Sequence, residues 1–290
     1  MTAQRHRPDR RAVLAGLAAA ALAPRPARAA AFRVATLDWA MLETLLALGA
    51  DVVAATELVL FRQIAVQPVV PPTVADLGLR GSPNFEVLRL AEPQLIFNSN
   101  FYARSNGRLE RIAPVETHSL YVAGQPPYGA AEAMTRAMAG RLALDATPLV
   151  DGTRDLLAGL RARLAGLDGR RVLPINFGDA RHFRVFGADS MFGEVLSRLG
   201  LDNAWTQPTS YSAMAPIGIE TLAQFPDVRL AVIGPEPPDV TAMLERNPFW
   251  HALPMVRAGR VMMLGPVNPF GALPAAARFA RLVAAGMGVS

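Results

Sequence analysis

The chain has 290 residues, 51% of them apolar, no cysteine and a formal charge of +5. The apolar content argues against disorder, and the missing cysteine excludes disulfides, thiol chemistry and a cysteine-borne lipid anchor. The excess charge sits at the start: residues 1–29 carry Arg5, Arg7, Arg10, Arg11, Arg25 and Arg28 against Asp9 alone. The remainder is formally neutral, so no nucleic-acid partner is expected.

Arg10-Arg11 precedes an apolar run, Ala12 to Ala23, and Ala27-Arg28-Ala29 supplies a small-residue cleavage site. This reads as a twin-arginine (Tat) export signal over residues 1–29, cleaved near Ala29. The run is too short for a stable membrane anchor. The expected location of the mature chain is the periplasm.

Residues 30–145 alternate strand-like and helix-like segments. Arg33–Thr36 and Asp51–Ala54 read as strands around a helix from Trp39 to Leu48, which Gly49 closes. Val66–Pro72 is proline-rich and lacks helical period, so it is loop or sheet edge. In Asp76–Glu86, Gly78 and Gly81 bracket Arg80 in a turn. Ser82 is expected to cap a helix that begins at Pro83 and runs to about Ala91. Arg80 then stands on a loop ahead of a helix, where α/β proteins often hold ligands. It either grips an anionic or carbonyl oxygen or pairs with a nearby acid. Leu95–Phe97 is the next strand, and Tyr102 follows it, offered either to a ligand or to the core edge.

Residues 146–168 carry Val150, Leu156, Leu157, Leu160, Leu164 and Leu167 at three- and four-residue steps. The pattern predicts an amphipathic helix roughly 30 Å long. It is either a tether between two lobes or a crossover helix inside one continuous sheet.

Residues 169–290 form a second α/β stretch. Strands are expected at Arg171–Phe177, Arg181–Phe186, Leu230–Ile233 and Val261–Leu264. Helices are expected at Ser190–Leu199, Ile219–Phe225 and Val240–Glu245, and from near Pro274 to Gly286. The segment Glu86-Val87-Leu88, Pro93, Leu95-Ile96-Phe97 is echoed by Glu220-Thr221-Leu222, Pro226, Leu230–Ile233. The echo suggests similar lobes that each display a glutamate. A glutamate at a helix start also has a local explanation in the helix dipole.

No Gly-x-Gly-x-x-Gly, Walker A loop or Gly-x-Ser-x-Gly elbow is present. His118, His182 and His251 lack metal-ligand spacing. No residue set supports catalysis, and neither a metal nor a cofactor is expected as a resident group.

Several segments in order carry a resemblance. They are Leu37-Asp38-Trp39 with Leu45–Gly49, Asp76–Arg80 and Arg111–Pro114. Further on come Arg181-His182 with Val185-Phe186-Gly187, Asn203-Ala204-Trp205 and Pro248-Phe249-Trp250 through Val256–Arg260. With them the chain resembles the helix-tethered periplasmic substrate-binding proteins of ABC importers, and within these the ferric-hydroxamate siderophore binders.

The resemblance implies two Rossmann-like α/β lobes joined by a single long helix, with the ligand in a cleft between them. It implies that Arg80 and Tyr102 hydrogen-bond the hydroxamate oxygens around iron(III), while the siderophore supplies every iron ligand. It places Trp39, Asn98, Tyr211, Ser212, Asn268 and Phe270 at the ligand too. Ile64, Asn98, Ser212, Asn268 and Pro269 stand where relatives carry large aromatics, so the wall here has fewer rings. Glu86 and Glu220 match the residues that dock on the permease, a partner that works with its ATPase. The protein is expected to act as a monomer. A haem or cobalamin carrier on the same scaffold is the second reading, and a siderophore-processing enzyme the third. A single connecting helix further implies a small hinge motion.

Overall fold

Short apolar runs bounded by glycine, proline and acidic residues become the strands of two separate sheets. The computed structural model describes residues 32–289 apart from 168, 208 and 210–216. The expected export signal, Tyr211 and Ser212 therefore lie outside the described residues. Phe32–Ser290 is one compact unit.

The first sheet is built from β1 (Arg33–Thr36), α1 (Trp39–Ala47), β2 (Asp51–Ala55), α2 (Leu58–Ile64), β3 (Ala75–Asp76), α3 (Phe85–Leu90), β4 (Leu95–Ser99), α4 (Asn106–Leu109) and β5 (Val115–His118). Its strands pair in parallel in the order β3-β2-β1-β4-β5. The order reverses at β1, and loops leaving the carboxyl ends of its neighbours diverge there, which opens a crevice. Asp38, Glu57, Arg80 and Tyr102 all follow such strand ends.

Next come α5 (Tyr128–Arg141) and α6 (Thr147–Leu164). The second sheet follows with β6 (Arg171–Phe177), β7 (His182–Val185), α7 (Met191–Arg198), β8 (Asp202–Asn203), β9 (Ile217–Gly218), β10 (Arg229–Gly234), α8 (Pro238–Arg246), α9 (Pro248–Ala252), α10 (Pro254–Arg257), β11 (Val261–Pro266) and α11 (Leu273–Gly286). Its order is β11-β10-β6-β7-β9, with β8 also on β6. β10 runs parallel to β6 and β11, while β7 runs antiparallel to β6 and β9. No strand of the first sheet pairs with one of the second among the described residues, so α6 is not a crossover inside one sheet.

α6 starts where Asp145 accepts the Thr147 N–H at 2.8 Å and Pro148 occupies the first turn. Val150, Thr153, Leu157, Leu160 and Leu164 give it one buried stripe. It ends at Leu164, short of the expected residue 168: Ala165 is its C-cap, and the Leu167 N–H donates to the Leu164 carbonyl at 3.1 Å. Asn84, not Ser82, caps α3: its side chain accepts from the Glu86 and Val87 N–H groups, which moves the start past Pro83. The segment Ile219–Gln224 is a 3-10 helix, tighter than the expected α-helix. α2 and α5 escape the periodicity, α2 for shortness and α5 for its run of alanine and glycine.

One apolar core runs through both halves. It joins Leu42 and Leu45 of α1, Met134 and Met138 of α5, Leu157 and Leu160 of α6, Phe192 and Val195 of α7 and Phe279 and Val283 of α11. Phe192 stacks on Phe279 with centroids 4.4 Å apart and meets Phe186 edge-on at 4.8 Å. Each such buried ring or leucine stabilises by about 1.5–3 kcal/mol relative to exposure. Two carboxylates cross between the halves to helix N-termini. Glu194 of α7 accepts the Tyr128 N–H of α5 at 2.7 Å, and Glu43 of α1 accepts N–H groups at the start of α11.

Candidate functional site

The site begins with an arginine held rigidly in a loop. Asp76 accepts the Gly78 N–H at 2.9 Å and the Leu58 N–H at 3.1 Å, and Gly78 turns at φ 70. The Gly78 carbonyl accepts the Glu57 N–H at 2.9 Å. Glu57 itself sits in the left-handed region, φ 51, a strained setting for a residue with a Cβ. That strain aims its carboxylate at Arg80. Oε1 accepts the Arg80 backbone N–H at 3.1 Å, and Oε2 accepts Nε at 2.7 Å. The guanidinium carbon lies 4.1 Å from the Trp39 ring centroid. Trp39 is fixed by Nε1 donating to the Thr56 carbonyl at 3.1 Å and by an edge contact with Phe61 at 5.4 Å. The acid-pairing reading of Arg80 therefore holds, through Nε and Glu57, and the same side chain lines a groove.

That groove consists of adjoining cavities. One, about 390 Å³, is lined by Asp38, Trp39, Glu57, Arg80, Phe101, Tyr102, Tyr121 and Phe270. The other, about 270 Å³, shares Trp39, Arg80 and Phe270 and adds Ile64, Asn176, Arg184, Phe186, Pro235, Asn268 and Pro269. Residues that follow β1 to β4 thus face Asn176 of β6, Arg184 of β7 and the loops after β10 and β11. A larger hollow of about 520 Å³ lies elsewhere, between α6, α11 and Gln67–Val69. It is a surface trough without ring or carboxylate lining, so the groove, where polar groups converge beside rings, is the candidate site.

Charge in the groove is tuned by burial. The Tyr102 phenol is pushed up by burial and pulled back by the Arg80 charge beside it. Asp38 caps α1 through the Ala40 and Met41 N–H groups. Burial raises its carboxyl against those bonds, the Ser99 hydroxyl and Arg80. Tyr121 donates to the Gly271 carbonyl at 2.6 Å, and burial holds its phenol well above the usual value. Glu43, 0% exposed, accepts from Ala272 N–H, Asn268 Nδ2 and Ala275 N–H. Burial pushes it up to about 8 in spite of those donors.

The structure brings Arg80, Tyr102, Trp39 and Phe270 to one groove. Asn98 is a correction: it is fully buried, lines neither cavity, and its Nδ2 donates to the Tyr102 carbonyl at 3.1 Å and to Asn106 Oδ1 at 2.6 Å. It props Tyr102 from beneath. Asn268 reaches the groove wall, but its amide is spent on Glu43 and its oxygen on the Phe270 N–H at 3.1 Å. Glu86 and Glu220 are exposed in the first turns of their helical segments. Sequence reading missed Glu57, Tyr121 and Arg184. Only Asp38, an aspartate directly before a helix, carried a local signal. Among the described residues, no three histidines, aspartates or glutamates cluster as a metal site.

Residues 34–267 match the model of the periplasmic binding protein family. The chain belongs to that family. It is 32% identical over 253 residues to the iron(3+)-hydroxamate-binding protein FhuD of Escherichia coli, covering 87% of this chain and 85% of that protein. The crystal structure of Fe3+–Desferal-bound FhuD from Vibrio cholerae superposes with a TM-score of 0.82 at 26% identity, over 89% of this chain and 98% of the other. The petrobactin-binding protein YclQ from Bacillus subtilis shares the fold at TM-score 0.70 and 18% identity, over 90% and 93% of the two chains. The two-sheet α/β architecture is thus that of the periplasmic binding proteins.

Proposed function

We propose that this chain is a periplasmic solute-binding protein that captures an iron(III)–siderophore complex of the hydroxamate type and delivers it to an ABC permease powered by its ATPase. The observation that carries the reading is Arg80, clamped by Glu57, stacked on Trp39 and set beside Tyr102 in a groove. Hydroxamate oxygens bound to iron(III) keep negative charge on their outward face. The terminal guanidinium nitrogens and the Tyr102 hydroxyl are the donors such oxygens require. Trp39 and Phe270 give the organic wrapper apolar surface. The siderophore fills the iron coordination sphere, so the protein needs no metal ligand of its own.

The names of the relatives support this ligand class: one binds iron(3+)-hydroxamate and another was solved with Fe3+–Desferal. In this reading residues 1–29 are the export signal, residues 30–145 and 169–290 the lobes, and residues 146–168 the connecting segment. Glu86, with a side chain 80% exposed, and Glu220 dock on the permease. The shared core and the cross-lobe carboxylates keep hinge motion small. The carrier returns its cargo unchanged and acts as a monomer.

Tryptophan fluorescence of the mature protein, titrated with iron(III)–desferrioxamine B, tests the reading, with haem and cobalamin in parallel. Quenching by the hydroxamate complex alone, weakened in Arg80→Ala, is expected. Absence of quenching, a haem or cobalamin spectral shift in its place, or a chemically altered siderophore recovered afterwards would overturn it.

A further inference from the structure

The half of the groove facing the second lobe carries a charge that the site described above does not use. Arg184 stands on β7 between Phe183 and Val185, both fully buried, so strand alternation turns it to the other face. It lines the cavity of about 270 Å³ and is directly opposite Asn176 in the β6–β7 register. Among the described residues no carboxylate lies within ion-pairing distance of Arg184, whereas Arg80 is paired with Glu57. Residues 208 and 210–216 hold no acid in their sequence, so that stretch supplies no counter-ion. Arg80 and Arg184 line this cavity, and among the described residues no carboxylate does. Asn176 donates to the Ile233 carbonyl at 2.7 Å, which leaves its oxygen as an acceptor rather than a charge partner.

We infer that Arg184 is a specificity-determining residue and that the preferred cargo is a ferric hydroxamate bearing a peripheral anionic group, a carboxylate, on the side facing the second lobe. The inference rests on the proposed siderophore reading and names the ligand class within it. Three hydroxamates neutralise iron(III), so Arg80 meets only partial charge at the metal centre. Arg184 has no task there, and a full negative charge on the wrapper gives it one.

The probes are iron(III) complexes of desferrioxamine B acylated on the terminal amine with acetyl, which is uncharged, or with succinyl, which adds one carboxylate. Both keep the same chelating groups. Fluorescence titration at low salt is expected to show the succinyl complex binding roughly three- to tenfold tighter than the acetyl complex, as for a partly exposed ion pair. The preference should shrink as salt rises. Arg184→Gln should erase it, so that the two complexes bind alike, and Arg184→Glu should reverse it. Equal binding of the two complexes by the unaltered protein, or a preference that survives Arg184→Gln, overturns this inference and leaves the siderophore reading standing. Binding of neither complex overturns both.

Discussion

Glu43 and Asn268 lie 225 positions apart and meet through a 3.2 Å hydrogen bond from Asn268 Nδ2 to Glu43 Oε2. The bond joins α1 under the first sheet to the loop before α11 under the second. It explains why Asn268 is not simply a ring replaced by a smaller side chain. The amide faces inward and satisfies a carboxylate that the core would otherwise leave short of donors. The same carboxylate receives the Ala272 N–H at the N-terminus of α11, so one side chain ties α1 to the start of α11.

Glu43 makes stability depend on pH. An unfolded glutamate titrates near 4.3, while burial raises the folded group to about 8. Across that window the folded chain holds a proton that the unfolded chain has released. Stability therefore falls as pH rises from about 4.3 to 8, by at most about 1.4 kcal/mol per pH unit, then levels. Thermal unfolding of wild type and Glu43→Gln at pH 5, 6, 7 and 8 checks this. The difference between the two should shift steadily in favour of the glutamine form, and parallel curves would show that Glu43 does not titrate in this range.

Removing the guanidinium should cost more than removing its clamp. Arg80→Ala is expected to weaken iron(III)–desferrioxamine B binding about ten- to hundredfold, the range for charge-assisted hydrogen bonds. Glu57→Gln keeps an acceptor for Arg80 but removes the ion pair, so a loss several-fold smaller is expected. Equal losses in a titration series would mean that Arg80 acts only when locked.

Asn98 should behave as a support. Asn98→Ala leaves the Tyr102 carbonyl and Asn106 without their buried donor, at a cost of about 1–3 kcal/mol. Denaturant unfolding measures that loss. Tyr102→Phe, which deletes only the hydroxyl, should leave unfolding nearly unchanged and weaken ligand binding several-fold. A destabilised Tyr102→Phe would make the phenol a structural group.

Glu86→Ala and Glu220→Ala, singly and together, should leave siderophore affinity untouched, because neither residue lines the groove. Iron uptake through the reconstituted importer should drop, most in the double variant, and the drop should depend on salt. Unaltered uptake would remove these glutamates from the docking surface.

Some of this was legible beforehand. The strand Arg171–Phe177 and the last helix ending at Gly286 were readable to within a residue, because period, glycine stops and proline starts are local signals. Arg80 was readable as a ligand candidate from Gly78 and Gly81. Its partner was not, since Glu57 lies 23 residues away and earns its aim from a left-handed turn that no neighbour announces. Asn98 was expected at the wall because the resemblance places it in the chain but does not say which way a side chain at a strand end points.

By itself, then, the amino-acid order determined most of the strands and the longer amphipathic helices, the chain's kinship, and the arginine and tyrosine worth watching. Burial patterns and caps are written within a few residues of where they act. Only the tertiary structure decided that Arg80 is shared between Glu57 and the groove, that Asn268 serves Glu43, and that Arg184 faces the groove without an acid. Those pairings depend on strand order and on helices packing into one core, which bring together side chains that the sequence holds tens to hundreds of residues apart.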